Sequence, residues 1–282
     1  MCFFFMGYFP ADLWGIAPID KGILITKLNF FLADAKKAVN LRWKSNRTIF
    51  MTIDTIKKQL RQALPGASSH LKMAPAHRLD EFRAIRGEDF NPRLSAVLVL
   101  LYPGEQASEP ESSFSLSLDE VSPSSGTAHL AGLKIVFIRR GEYVGIHSGQ
   151  IAFPGGRYEN EDGDLCETAM REAEEEIGLP RHSYEIIGQL TDLYVPPSNF
   201  LVRAFVAYAP QRPVYTPDPR EVQEVIEVDL SHFFNSANIK VKDFPAHNSV
   251  TNTSAPYYDA DGVVIWGATA MMLRELVDLI GK

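Results

Sequence analysis

Few cysteines, no long uncharged apolar run and no excess of basic charge mark this 282-residue chain. Two cysteines, Cys2 and Cys166, cannot build a disulfide framework, which points to a reducing, cytoplasmic setting. No stretch of about 18 apolar residues is present, so no helix is expected to span a membrane. The formal charge of −7 argues against a general nucleic-acid binder, which would carry a basic footprint. The apolar start, MCFFFMGYFPADLWGIA, lacks the positive charge of a secretory signal and is broken by Pro10 and Asp12, so it is not read as one.

What the chain does have is concentrated between Gly149 and Leu179, GQIAFPGGRYENEDGDLCETAMREAEEEIGL. Asp164 followed by Glu167 forms a capping-box pattern, and Gly178 then Pro180 is a stop signal, so the spacing predicts a helix over 165–177. On that helix Met170, Ala173 and Ile177 make a core-facing stripe, while Glu172, Glu175 and Glu176 share another face. Like charges at these spacings repel unless a cation compensates them. All-oxygen ligands suit Mg²⁺ or Mn²⁺. The paired glycines Gly155 and Gly156 would let backbone come close to a metal or a phosphate, and Glu167 is a candidate partner for Arg171. A glutamate-rich helix can equally be a plain solvated face.

The combination resembles the signature of the Nudix hydrolases, with Arg171, Glu172, Ala173, Glu175, Glu176, Gly178 and Leu179 filling its second half position by position. In the first half Asp162 stands five residues beyond Gly156 where the signature has Glu, and eight residues rather than seven separate it from Arg171. The extra residue, with Gly149 and Phe153 to Gly156, resembles the coenzyme A diphosphatase branch. Where that branch carries a second arginine after Arg140, this chain has Gly145. The resemblance implies metal ligation by Glu172, Glu175, Glu176 and the backbone at Gly156. It also implies catalytic roles for Arg171, Glu175 and Glu221, and substrate contacts at Arg140 and Gly155. Arg171 would orient the glutamates; Glu224 is the second late carboxylate to test, and His147 is read as a hydrogen-bonding loop residue. The implied reaction is metal-dependent hydrolysis of coenzyme A or an acyl derivative. Two other readings stay open: a Nudix hydrolase of ADP-ribose or another nucleotide, and a ligand-sensing module without catalysis. A small-molecule substrate is the expected partner, and self-association as a homodimer is left open.

Along the chain, residues 1–50 carry seven basic and three acidic residues and read as a poorly ordered extension or as the product of too early a start codon. Residues 51–92 read as an amphipathic helix carrying Ile53, Ile56, Leu60 and Leu64, then an irregular segment lying on the domain. The catalytic domain is expected over 93–282, with strands at 93–102, 133–140, 184–193, 200–209 and 225–228 and a terminal helix after Trp266. The segment 104–127, rich in Ser, Glu and Pro, reads as a mobile loop. The fold class expected is α/β (α+β), by resemblance a Nudix-type α/β/α sandwich on a mixed sheet.

Overall fold

A computed structural model describes residues 52–75, 90–104, 132–141, 149–244 and 252–281. The expectations for residues 1–50, for nearly all of the 104–127 loop, and for Gly145 and His147 lie outside these residues.

The centre of the fold is β1 (Arg93–Pro103), eight successive residues of which are buried. Such a run must be covered on both faces and paired on both edges. It pairs in parallel with β7 (Phe200–Tyr208) from Arg93↔Phe200 to Leu101↔Tyr208. Its other edge is shared. Near its C-terminal end β1 meets β2 (Leu133–Arg140) antiparallel at Leu101↔Ile135, and near its start it meets β4 (Gly155–Arg157) at Val97↔Gly155. The two-residue β3 (Ile151–Ala152) pairs instead with the far end of β2. Strands β1 and β2 therefore part, and the chain from Ile151 to Arg157 fills the gap between them. The sheet is completed by β5 (Glu185–Gln189), β6 (Leu193–Val195) and β8 (Val222–Asp229), the last lying antiparallel to β2. The single strand expected over 184–193 is thus two: β5 stops at Gln189, the Leu190 amide makes a last bond to Ala204 O of β7 (2.9 Å), and ladder pairing with β7 starts again at Leu193.

Residues of alternating parity cover the two faces. Ala96, Leu98, Leu100, Val136 and Ile138 pack with Ala169, Ala173 and Ile177 of helix α3 (Leu165–Ile177), while Val97, Val99, Leu101, Ile135 and Phe137 pack toward α1 (Ile53–Leu60) and α4 (Gly267–Ile280). This is an α/β/α sandwich on a mixed sheet. A small antiparallel sheet of β9 (Ile239–Phe244), β10 (Thr253–Ala260) and β11 (Val263–Trp266) leads into α4. The short helix α2 (Ala67–His70) lies within the stretch expected to be irregular.

The segment carrying α1 and α2 is fastened through one buried carboxylate. Glu275 of α4 accepts from the Gly66 amide (3.0 Å), from Thr191 Oγ1 (2.6 Å) and shares a hydrogen bond with His70 Nε2 (2.7 Å). Beside it Asp278 accepts from Ser69 Oγ (2.5 Å) and Lys72 Nζ (2.7 Å). Among the described residues no helix is long and apolar enough to cross a membrane.

Candidate active site

Helix α3 begins and ends where the caps require. Asp164 accepts from the amides of Cys166 (2.8 Å) and Glu167 (2.9 Å), and Gly178, at φ +64°, closes the helix with its amide donating to Glu174 O (3.0 Å). Two details differ from the sequence expectation. The buried stripe runs through Thr168, Ala169, Ala173, Glu176 and Ile177, with Met170 only half-buried at its margin. Glu167 does not serve Arg171; it and Glu174 pair with Arg181 instead, at 2.7 and 2.9 Å.

The partner of Arg171 is Asp162, which sequence reasoning noted only as a departure from the signature. The guanidinium grips it with two bonds, Nε to Oδ1 at 2.8 Å and Nη2 to Oδ2 at 3.0 Å, and donates to Arg157 O at 3.1 Å. Its Nη1 reaches Glu175 Oε2 (2.9 Å) and Glu172 Oε1 (3.0 Å). Asp162 also accepts from Thr168 Oγ1 (2.9 Å) and the Glu159 amide (3.0 Å). Its bonds to Arg171 hold its carboxyl well below the usual range, against the opposing effect of burial. The signal available in the sequence was the acidic position itself, displaced by one residue.

The three glutamates of α3 occupy three environments. Glu175 is exposed, Glu172 is half-buried, and Glu176 is 1% exposed. One oxygen of Glu176 accepts from the Gly155 amide at 2.7 Å. The other, Oε1, lies 3.5 Å from Arg140 Nη1 and has no hydrogen-bond partner among the described residues. Burial pushes the Glu176 carboxyl up to about 8, with Arg140 and the Gly155 amide opposing and the charges of Glu172 and Glu221 adding to the rise. Glu172 is raised too, chiefly by burial, with Arg171 opposing. The helix therefore does not present the plain solvated face that its composition allowed.

The glycine pair makes this arrangement sterically feasible. Gly155 sits at φ +152°, and a Cβ there would strike the backbone of β1 at Ala96 and Val97. At Gly156 a Cβ would occupy the place of the Glu172 carboxylate. Glu221 joins the group because the chain after β7 is seated on the end of α3: the Thr216 amide donates to Ile177 O (2.8 Å) and the Asp218 amide to Glu176 O (3.0 Å). A turn then returns the Glu221 amide to Asp218 O (3.1 Å), while Glu221 O accepts from Gly141 at the end of β2 (2.7 Å). Glu221 acts electrostatically on both Glu172 and Glu176; Glu224 is instead tied to Arg139 at 3.1 Å.

The structure thus brings Arg140, Gly155, Gly156, Glu172, Glu176 and Glu221 together, with Glu175 held at the margin by Arg171. Among the described residues no three Asp, Glu, His or Cys side chains converge into a ready-made metal cage. The donor set still fits a hard cation. It offers carboxylate oxygens only, one of them buried and without a hydrogen bond, in a cluster whose mutual repulsion a positive charge would relieve. It suits an ion that keeps several waters better than one enclosed by protein.

Comparison with known proteins follows the same lines. The NUDIX domain family model matches residues 128–250. An uncharacterized Nudix hydrolase NudL of Yersinia enterocolitica is 29% identical over 187 residues, 63% of this chain and 94% of that protein. The NudL of Photorhabdus laumondii is 30% identical over 146 residues, covering 52% of this chain and 76% of that protein. This chain belongs to the Nudix hydrolase family. Among solved structures, a MutT/nudix family protein from Enterococcus faecalis aligns at 12% identity with a TM-score of 0.38, covering 81% of this chain and 74% of the other. As a Nudix hydrolase the protein acts on a small-molecule substrate with a nucleoside diphosphate linkage, and members of the family generally use divalent metal ions.

Proposed function

We propose that this Nudix hydrolase cleaves coenzyme A or acyl-coenzyme A to 4′-phosphopantetheine and adenosine 3′,5′-bisphosphate, in the cytoplasm and with Mg²⁺ or Mn²⁺. The observation that carries the hydrolytic part is the buried Glu176, one oxygen on the Gly155 amide and the other without a hydrogen bond, beside Glu172 and Glu221. The coenzyme A part rests on Gly149 and the Phe153 to Gly156 segment, which resembles that branch.

In this reading Glu172, Glu175 and Glu176 hold the metal with backbone at Gly156, and the bound ion supplies charge neutralisation and a more acidic water. Arg171 does not touch substrate; it sets the positions of Glu172 and Glu175 while Asp162 fixes its own. Glu221 orients and accepts a proton from the attacking water, and Glu175, at the exposed margin, is the other carboxylate available for that task. Arg140 neutralises the diphosphate, for which its planar donors suit it. We also read residues 93–282 as the catalytic domain, with 51–92 packed on it.

The test is product identification with coenzyme A, ADP-ribose and nucleoside triphosphates, each with Mg²⁺, with Mn²⁺ and with chelator. Metal-dependent release of 4′-phosphopantetheine at the highest kcat/KM is the expected result. Preference for ADP-ribose would overturn the coenzyme A assignment. Glu176→Gln keeps an acceptor for the Gly155 amide, so the variant should fold normally and lose metal-dependent turnover; undiminished turnover would sink the proposed role of Glu176.

A further inference from the structure

Between β7 and β8 the chain runs through 210–221, PQRPVYTPDPRE, and ends on Glu221. Proline stands at 210, 213, 217 and 219, so this strap has little conformational freedom to lose and few amides to satisfy. The two amides left between Thr216 and Pro219 are those that donate to Ile177 O and Glu176 O, carbonyls in the last turn of α3 that have no partner within the helix. Gly178 lets the strap lie this close, because a Cβ there would strike the backbone of Thr216.

A second tie holds the start of the strap. The Arg212 guanidinium takes the carboxylate of Glu227 on β8 with two prongs, Nη2 to Oε2 at 2.8 Å and Nε to Oε1 at 3.2 Å. Glu227 is half-buried, and the hydroxyls of Tyr102 on β1 and Tyr215 on the strap face it. Burial pushes the Glu227 carboxyl up, and Arg212 with the two tyrosines more than reverses that rise. An exposed ion pair by itself contributes little. This one closes a ring, since Glu227 lies on the strand into which Glu221 leads.

We propose that Arg212 and Glu227 are positioning residues for the hydrolysis, closing the strap so that Glu221 is held beside Glu172 and Glu176 instead of moving to and from them. The inference rests on the reading of Glu221 as the group that receives the proton of the attacking water, whichever substrate is hydrolysed. It makes a polar cluster outside the site a determinant of kcat, because a catalytic group displaced by about 1 Å can lose about a hundredfold in rate.

Arg212 is exposed, so Arg212→Ala leaves the core intact. In that variant amide exchange followed by NMR should quicken by about threefold or more at Thr216 and Asp218 and stay unchanged in α3 and β1. Turnover is measured with Mg²⁺ and whichever of coenzyme A and ADP-ribose the wild type hydrolyses. Arg212→Ala should lower kcat about threefold to tenfold with KM little changed, and Arg212→Lys, which keeps the ion pair, should recover most of the loss. In a Glu221→Gln background the same Arg212→Ala change should cost less than about twofold. Unchanged exchange at Thr216 and Asp218, or a loss as large with Glu221→Gln as without it, would overturn the clamp. Full turnover by Glu221→Gln is a separate result: it would remove Glu221 as the proton acceptor, and the positioning role with it, whatever the exchange shows.

Discussion

At the scale of single residues, the charge arrangement turns on Arg171, one half-buried guanidinium shared among Asp162, Glu172 and Glu175. Replacing Asp162 by Asn leaves that cation without its two-pronged partner, and the expected loss is about 3 kcal/mol, the lower end of the range for broken buried pairs because Arg171 keeps some solvent contact. The pH dependence has a definite sign. The folded carboxyl of Asp162 lies below its ordinary value, so its stabilisation is complete above about pH 5 and drains away as pH falls through and below about 3.9. Urea unfolding of wild type and Asp162→Asn should therefore show a wide gap at pH 7 that narrows by pH 3. A gap of constant width would mean that Asp162 contributes by shape and not by charge. The place of Asp162 was legible in the sequence as an acidic position one residue out of register; its pairing was not, because nothing local tells whether an arginine turns toward a residue four positions away on its own helix or toward the loop before it.

Among the elements, α3 was the most legible. Its caps are local chemistry, and Leu165–Ile177 coincides with the expected span. The long apolar strands were legible as well, since β1 and β2 are runs that only a two-sided core accommodates. The small sheet was not anticipated. Ile239, Lys240, Val241 and Lys242 on β9 alternate between apolar and charged, but the pattern is broken after four residues by Asp243, and β10 contains Pro256, a residue that argues against a strand with neighbours on both edges. Strands β3 and β4, two and three residues long, carry no periodicity to read. Yet they place the glycines, and the two glycines should respond differently. Gly155→Ala puts a Cβ into the backbone of β1 and should cost about 2–4 kcal/mol in stability. Gly156→Ala displaces the Glu172 carboxylate, a side chain able to move, so it should lower metal-dependent kcat by far more than its change in Tm implies. Equal proportional losses for the two variants would argue that the glycine pair acts only as a packing device.

For the whole molecule, the link invisible in the sequence is the one between residues 66–72 and the terminal helix. Glu275 sits on a helix whose apolar neighbours predict burial, and a buried carboxylate needs partners that sequence spacing cannot supply from two hundred residues away. Glu275→Ala would leave the Gly66 amide, His70 and Thr191 without their acceptor. About 3 kcal/mol of destabilisation is expected, with proteolytic cleavage appearing first around α1 and α2 while the kcat of the folded fraction stays near that of the wild type. Early cleavage elsewhere would count against this fastening.

The parallel pairing of β1 with β7 has a further consequence, for synthesis. The partner of Arg93 is Phe200, so a ribosome must add roughly 100 residues after β1 leaves it before that edge can close. At about 5–20 residues per second this is roughly 5–20 s during which eight consecutive core residues of a nascent strand have no parallel neighbour. A holdase that covers this strand during translation would raise the yield of native enzyme more than one supplied after release.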